Sequence, residues 1–297
     1  MSLPNSTVPF RRITVVGTGL IGGSFALSVR DKFPTTEIIG CDRPHVLDAA
    51  RRTGAITRGE EDLKAAVREA DLVYVALPIG ATVDALGVIA SSAPASALVT
   101  DSASTKALVC GTASRAFADG AKFLGGHPMA GREKSGVEHA RADLFHGARY
   151  ALIGNEGDAD ARVRAFVGLL RTIGAEPVWC DAETHDWAVG VVSHLPQMLA
   201  VALAQVIRDE TDETGMPLAL AGSGLKDSLR LAGSPYNVWR DVALTNRENI
   251  SRALDRLTQA IDHLRTNLGS KELSEEFDAA NELYKRLHEG HGGAGTR

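Results

Sequence analysis

Apolar and polar positions alternate in two different rhythms along this chain, and the change falls near residue 180. Residues 13–17, Ile-Thr-Val-Val-Gly, form a β-branched run of the kind buried on both faces of a parallel sheet. Similar apolar runs recur at 37–42, 71–77, 97–101 and 122–125, with helical patterns at 25–30, 45–52 and 79–91 and another ending near 118. Strand-like pieces at 149–153 and 176–180 flank a helical stretch at 160–173. That spacing predicts α/β architecture with a doubly wound parallel sheet. After Cys180 only helical patterns remain. Asp181 is a suitable N-cap for a helix reaching about residue 209, with a kink at Pro196. The window 188–207 is apolar nearly all round, so burial between several neighbouring helices is expected. Ser193, His194, Pro196, Gln197 and Gln205 interrupt it, which fits a membrane span less well. Further helices are expected at 246–267 and 274–288, and the tail GHGGAGTR, from about 290, is expected to be disordered.

Composition narrows the partners. A chain of 297 residues, 44% hydrophobic and 23% charged, can fold as two soluble domains. Its net charge of −5 argues against nucleic-acid binding. Cys41, Cys110 and Cys180 are widely separated, which excludes a disulfide framework and a conventional zinc site and points to a reduced, cytoplasmic protein. No metal site is expected, and the first residues show no signal-peptide pattern.

The first chemical signal follows the first strand. Gly17-Thr-Gly-Leu-Ile-Gly22 is a GxGxxG sequence between a strand and a helix, the context in which it marks a Rossmann-type dinucleotide-binding domain. Gly17 permits the tight turn, Gly19 lets a pyrophosphate approach the backbone, and Gly22 allows close packing of helix on sheet. Leu20 and Ile21 lie between them and are expected to contact the cofactor. Asp42 ends the second strand about 20 residues later, where an acid hydrogen-bonds the ribose of NAD. Arg43 beside it could receive the 2′-phosphate of NADP, but the carboxylate would repel that phosphate, so NAD is preferred. The expected organisation is therefore a dinucleotide-binding domain over 1–180 and a helical substrate and dimerisation domain over 181–297.

Groups able to act on a substrate come from later loops. DSASTK at Asp101 carries Ser104 and Lys106, and GGHPMAGREKSG at Gly125 carries His127, Glu133 and Lys134. A histidine in a loop at the carboxyl end of a strand is suited to act as a general base near neutral pH. Lys106, Glu133 and Lys134 read equally as solvated charge, while His185 and Asp186 read as ordinary residues of a helix N-terminus.

With HDWAVGVVSHLPQ at His185 and GLKDSLRLAGSPYNVWRD at Gly224, these motifs make the chain similar to the prephenate/arogenate dehydrogenase family over residues 13–268. The resemblance implies an NAD- or NADP-dependent oxidative decarboxylase of tyrosine biosynthesis. It implies His127 as the base at the substrate's C4 hydroxyl and Ser104 as the residue orienting that hydroxyl. It implies Arg230 as a carboxylate ligand, with Asp227 and Trp239 flanking it and His194 and Gln197 on the substrate side. Prephenate is the expected substrate; arogenate, or both, is the alternative, and a homodimer is expected. A non-catalytic dinucleotide sensor would need none of His127, Ser104 and Arg230. Three positions depart from the family pattern. Ala103 stands where a glycine is usual, which matters only if that backbone needs positive φ. Arg132 stands where a small hydroxyl residue is common, and its extra cation could reach substrate or cofactor. Gln197 stands where many prephenate-type members have a second histidine, which leaves arogenate open.

Overall fold

The computed structural model describes residues 9–131, 134–211 and 213–289. Contacts divide the chain into two compact units, Met1–Asn249 and Ile250–Arg297. The tail from residue 290 lies outside the described residues.

The first unit is built on a six-stranded parallel sheet of order β3-β2-β1-β4-β5-β6. Its strands are β1 (Arg12–Val16), β2 (Glu37–Cys41), β3 (Arg58–Glu60), β4 (Leu72–Val75), β5 (Leu98–Asp101) and β6 (Lys122–Leu124). All four residues of β4 and of β5 are buried, as expected of central strands covered on both faces. The intervening helices are α1 (Leu20–Lys32), α2 (Pro44–Arg52), α3 (Leu63–Val67), α4 (Ile79–Ser92) and α5 (Ala107–Ala116). The strand order reverses between β1 and β4, so the loops after these strands and after β5 open onto the crevice where such sheets bind ligands.

After β6 the chain leaves this sheet. A second sheet of three strands contains β7 (Gly126–Pro128), β8 (Arg149–Ile153) and β9 (Glu176–Cys180). β7 pairs antiparallel with β8, with His127 opposite Ala151, and β8 pairs parallel with β9. The last two strands match the expected ranges, but β7 falls in what reads from sequence as a loop. The departure is local: a Cβ on Gly126 would lie 2.7 Å from the Asp101 carbonyl oxygen, so only glycine lets the chain pass the end of β5 so closely. Helix α6 (Ala161–Thr172) connects the last two strands, with Asp160 accepting from the Val163 N–H as its N-cap.

From Asp181 onward every regular element among the described residues is helical. Asp181 caps α7 (Ala182–Val189) by accepting from the Thr184 N–H. One π turn, Gly190–His194, then leads into α8 (Leu195–Glu210). Next to the position where a kink is expected, the π turn ends just before Pro196, whose ring needs no N–H partner in the first turn of α8. Three shorter helices follow: α9 (Met216–Ala219), α10 (Ser223–Leu229) and α11 (Tyr236–Thr245). The expected burial of the long apolar helix between several neighbouring helices is not met within the single chain. Residues 182–210 form a 29-residue helical run long and apolar enough to cross a membrane, and only 22% of its most apolar window is buried. Trp187 and Val192 are more than half exposed.

The second unit comprises most of α12 (Arg247–Thr266) and all of α13 (Glu272–Glu289). Inside it His263 Nε2 lies 3.2 Å from Glu276 Oε1, joining its two helices. Phe277, Leu283, Tyr284 and Leu287 are exposed along α13.

Candidate active site

The glycine loop behaves as its spacing predicts, with one shift. Gly17 has φ of +89°, and a Cβ there would strike the Ala76 carbonyl oxygen at 2.4 Å. A Cβ on Gly22 would lie 2.0 Å from the Gly17 carbonyl oxygen. By contrast, nothing lies within 4 Å of where a Cβ on Gly19 would be. Gly19, Leu20 and Ile21 line a cavity of about 410 Å³, whose other walls include Pro78, Ser104 and Trp239. Helix α1 begins at Leu20, earlier than its hydrophobic periodicity suggests, and Gly19 supplies no side-chain cap. Its first N–H groups therefore face an open glycine cradle, the arrangement that receives a pyrophosphate. The residues present fit a dinucleotide.

At the end of β2, Asp42 Oδ2 accepts from the Thr18 N–H at 2.8 Å, which ties the acid to the glycine loop. Asp42 Oδ1 accepts from the Arg43 N–H at 2.8 Å. The Arg43 side chain is 77% exposed and its Nε lies 4.0 Å from that same oxygen.

Beside the cradle, a buried ion pair fixes the strand that carries His127. Lys106 Nζ donates to Asp101 Oδ2 and, at 2.6 Å, to the Gly126 carbonyl oxygen. The Gly126 N–H donates to Asp101 Oδ1 at 3.1 Å. Both charged side chains are fully buried, so the reading of Lys106 as solvated charge is wrong. The pair clamps β7 to the end of β5 through both backbone groups of Gly126. The Ala103 N–H donates to Asp101 Oδ2 at 2.9 Å. No described residue other than glycine has positive φ, so the methyl group of Ala103 is carried without strain.

His127 is not alone. Its Nδ1 lies 2.9 Å from His185 Nε2, and His185 Nδ1 lies 2.8 Å from Asp186 Oδ1. Asp186 Oδ1 and Oδ2 accept from the N–H groups of Lys106 and Ala107 at 2.7 and 2.9 Å. The carboxylate thereby caps α5 from a different part of the chain. Burial pushes the Asp186 carboxyl up, but the hydrogen bonds from His185, Ala107 and Lys106 outweigh it and hold it below its ordinary value. Burial, reinforced by the neighbouring His185, Lys106 and His194, pushes His127 well below the ordinary histidine value. His127 is thus a neutral imidazole at physiological pH. His185 and Asp186 are each only 3% exposed and are not the ordinary helix-terminal residues expected. The signal available was two polar residues sharing the buried side of a helix with Val189.

A second cavity, of about 390 Å³, shares Ser104, Ala130, Gly131 and Trp239 with the first and adds His127, His194, Gln197 and Arg230. Arg230 enters from a 3₁₀ turn, Arg230–Gly233, that follows α10. His194 stacks edge-on against Trp239, with centroids 5.7 Å apart. Asn246 Oδ1 accepts from Asn249, so its amide nitrogen faces His194 Nδ1 at 3.1 Å and the Asp186 carbonyl at 2.7 Å. The Nδ1 of His194 is therefore the acceptor, which leaves Nε2–H as a donor. Gln197 Nε2 donates to the Leu231 carbonyl at 2.9 Å, and its buried Oε1 receives no hydrogen bond from any described residue. Asp227 is exposed on α10 and lines neither cavity. Arg132 lies outside the described residues. Among the described residues no group of three or more His, Cys, Asp or Glu could hold a metal ion.

Burial lowers His194 from 6.5 to about 4, Asp186 opposing and His185 adding to the shift. Between those values the unfolded chain binds a proton that the folded chain refuses. Stability is therefore full above about pH 6.5 and declines toward pH 4, by about 2 kcal/mol at pH 5 from this residue. His127 acts in the same direction. Urea unfolding at pH 7.5 and 5.0 should show a lower midpoint at the acid pH and a smaller difference in His194→Gln; equal midpoints in the unaltered protein would refute this.

Comparison with known proteins places this geometry. Residues 25–178 match the family model described as prephenate dehydrogenase, nucleotide-binding domain, and residues 181–285 match prephenate dehydrogenase, dimerization domain. A prephenate dehydrogenase of Lactococcus lactis subsp. cremoris is 33% identical over 288 residues, covering 96% of this chain and 79% of the relative. A cyclohexadienyl dehydrogenase of Zymomonas mobilis is 28% identical over 269 residues, covering 89% and 90%. The crystal structure of prephenate dehydrogenase from Aquifex aeolicus in complex with hydroxyphenyl propionate and NAD⁺ superposes with a TM-score of 0.84. It shares 28% identity and covers 94% of this chain and 98% of that one.

Proposed function

The chain belongs to the prephenate dehydrogenase family, an NAD-dependent oxidoreductase family, and from that premise we propose how its residues divide the work. The reaction is oxidative decarboxylation of prephenate to 4-hydroxyphenylpyruvate. NAD, when bound, supplies the hydride acceptor. Gly17, Gly19, Leu20, Ile21 and Gly22 hold its pyrophosphate at the N-terminus of α1, Asp42 takes the ribose hydroxyl, and Arg43 stays in solvent. The single observation that carries the catalytic assignment is that His127, Ser104 and Arg230 line one cavity, where burial holds the His127 imidazole below its ordinary value. Its imidazole accepts the ring-hydroxyl proton as hydride leaves the same carbon, and the ring carboxylate departs as CO₂ with aromatisation. Ser104 orients the hydroxyl. Arg230 binds a substrate carboxylate through two hydrogen bonds, beside Trp239 and His194.

One observation favours the alternative substrate. The orphaned Gln197 Oε1 asks for a donor. The keto acid side chain of prephenate offers none, whereas the ammonium of arogenate does. A dual cyclohexadienyl activity follows. Initial rates with prephenate and arogenate, each with NAD and NADP, test the reading: turnover of neither acid overturns it, and a preference for NADP overturns the role given to Asp42. Arg230→Gln should raise KM for the acid about 10- to 100-fold, the loss of a charge-assisted bond worth about 1.5–3 kcal/mol, and leave KM for NAD unchanged. An unaltered KM for the acid would remove Arg230 from the substrate site.

The exposed apolar residues of α7 and α8 fall within the region matched by the dimerization-domain model, which supports a homodimer formed through the helical segment. The three free cysteines, of which burial pushes Cys41 and Cys110 up to about 12, support a reducing, cytoplasmic setting.

A further inference from the structure

The hydrogen-bond chain behind His127 determines more than its place. Asp186 is held below the ordinary carboxylate range, so its oxygens only accept, and His185 Nδ1 must carry the proton that bridges them. In a neutral His185 the other nitrogen, Nε2, is then an acceptor. It faces His127 Nδ1 at 2.9 Å, so His127 must carry its own proton on Nδ1. The nitrogen left with a lone pair is His127 Nε2. We infer that His185 and Asp186 are positioning residues that fix the tautomer of His127, so that its Nε2 is the proton acceptor, and that share the charge His127 gains.

The charge argument follows from burial. His127 is desolvated, which makes it a poor proton acceptor by itself. When Nε2 takes the hydroxyl proton, the imidazolium still holds its Nδ1–H against His185 Nε2. His185 in turn holds its Nδ1–H against the Asp186 carboxylate, so the new positive charge faces a fixed negative one across one neutral ring. Proton and charge balance: one proton leaves the substrate oxygen, one N–H bond forms at His127 Nε2, and no proton leaves the protein. Asp186 stays ionised because the N–H groups of Lys106 and Ala107, at the N-terminus of α5, also bind it. The same carboxylate thus serves helix and base together.

This inference rests on the proposed role of His127, and its test includes a measurement that needs no substrate. Histidine-¹⁵N NMR of the full chain should show His127 protonated at Nδ1 and unprotonated at Nε2. Protonation at Nε2 instead would overturn the inference whatever the enzyme turns over, while an enzyme inert toward both acids would overturn only the functional reading. Asp186→Asn puts an amide where His185 requires an acceptor and frees the tautomer. It should lower kcat about 10²- to 10⁴-fold with KM for NAD and acid unchanged. His185→Phe should lose as much, and His185→Gln, which keeps an acceptor for His127, should recover most of it. Unchanged kcat in Asp186→Asn overturns the inference, as does equal loss in His185→Phe and His185→Gln. If His185→Phe does not fold, Asp186→Asn and the NMR of the unaltered protein decide.

Discussion

His127→Asn should bind NAD as tightly as the unaltered enzyme and turn over roughly 10²- to 10⁴-fold more slowly. The expectation follows from where the residue sits. His127 lies on β7 in the wall of the second cavity, and it borders neither the glycine loop nor Asp42. Asparagine retains one hydrogen bond to His185 but has no lone pair basic enough to take an alcohol proton. Fluorescence titration of NAD beside steady-state kinetics separates the two quantities. Undiminished turnover would show that the proton leaves by another route; weakened NAD binding with normal turnover would assign His127 to the cofactor.

Lys106→Met should cost about 3–5 kcal/mol of stability, because Asp101 is left as a fully buried, unpaired charge. For a compact unit of this size that is a fall in Tm of roughly 10 °C. Activity should fall too, since Lys106 and Asp101 hold Gly126 and hence the strand that presents His127. The double variant Lys106→Met with Asp101→Asn removes both charges and should recover much of the stability, as replaced buried pairs do. Calorimetry of the three proteins reads both effects. A single variant as stable as the parent would mean that water reaches Asp101 in the folded protein.

Sequence reaches far into this fold because its strongest signals are local. The strand-like pieces at 149–153 and 176–180 match β8 and β9, and the glycine loop lies where its spacing puts it. β3, Arg-Gly-Glu, carries no apolar pattern and exists because an exposed edge of β2 can pair with it. α1 starts within the glycine sequence because tight packing, not propensity, supports Gly22 there. The site shows the same division. His127, Ser104 and Arg230 are named by motif and meet at one cavity. Lys106, His185 and Asp186 look like surface charge or helix ends, since only the fold turns Lys106 back onto Asp101 five residues earlier and brings His185 to His127 and Asp186 to Lys106, 58 and 80 residues apart in sequence. A lysine is read as solvated until a carboxylate is seen beneath it.

The π turn at Gly190–His194 sets the phase of the long helix. A regular α-helix turns about 100° per residue, so one extra residue in a turn rotates everything after it by about that angle. His185 and Asp186 precede the turn and face the base; His194 closes it, Gln197 follows it, and both line the substrate cavity. Both faces aim at one site only while the extra residue is kept. Loss of a single codon between 190 and 194 would leave the helix intact, even more regular, and point one of its two working faces away. In this segment reading-frame-preserving deletions are therefore more damaging than most substitutions, and the number of residues matters as much as their identity.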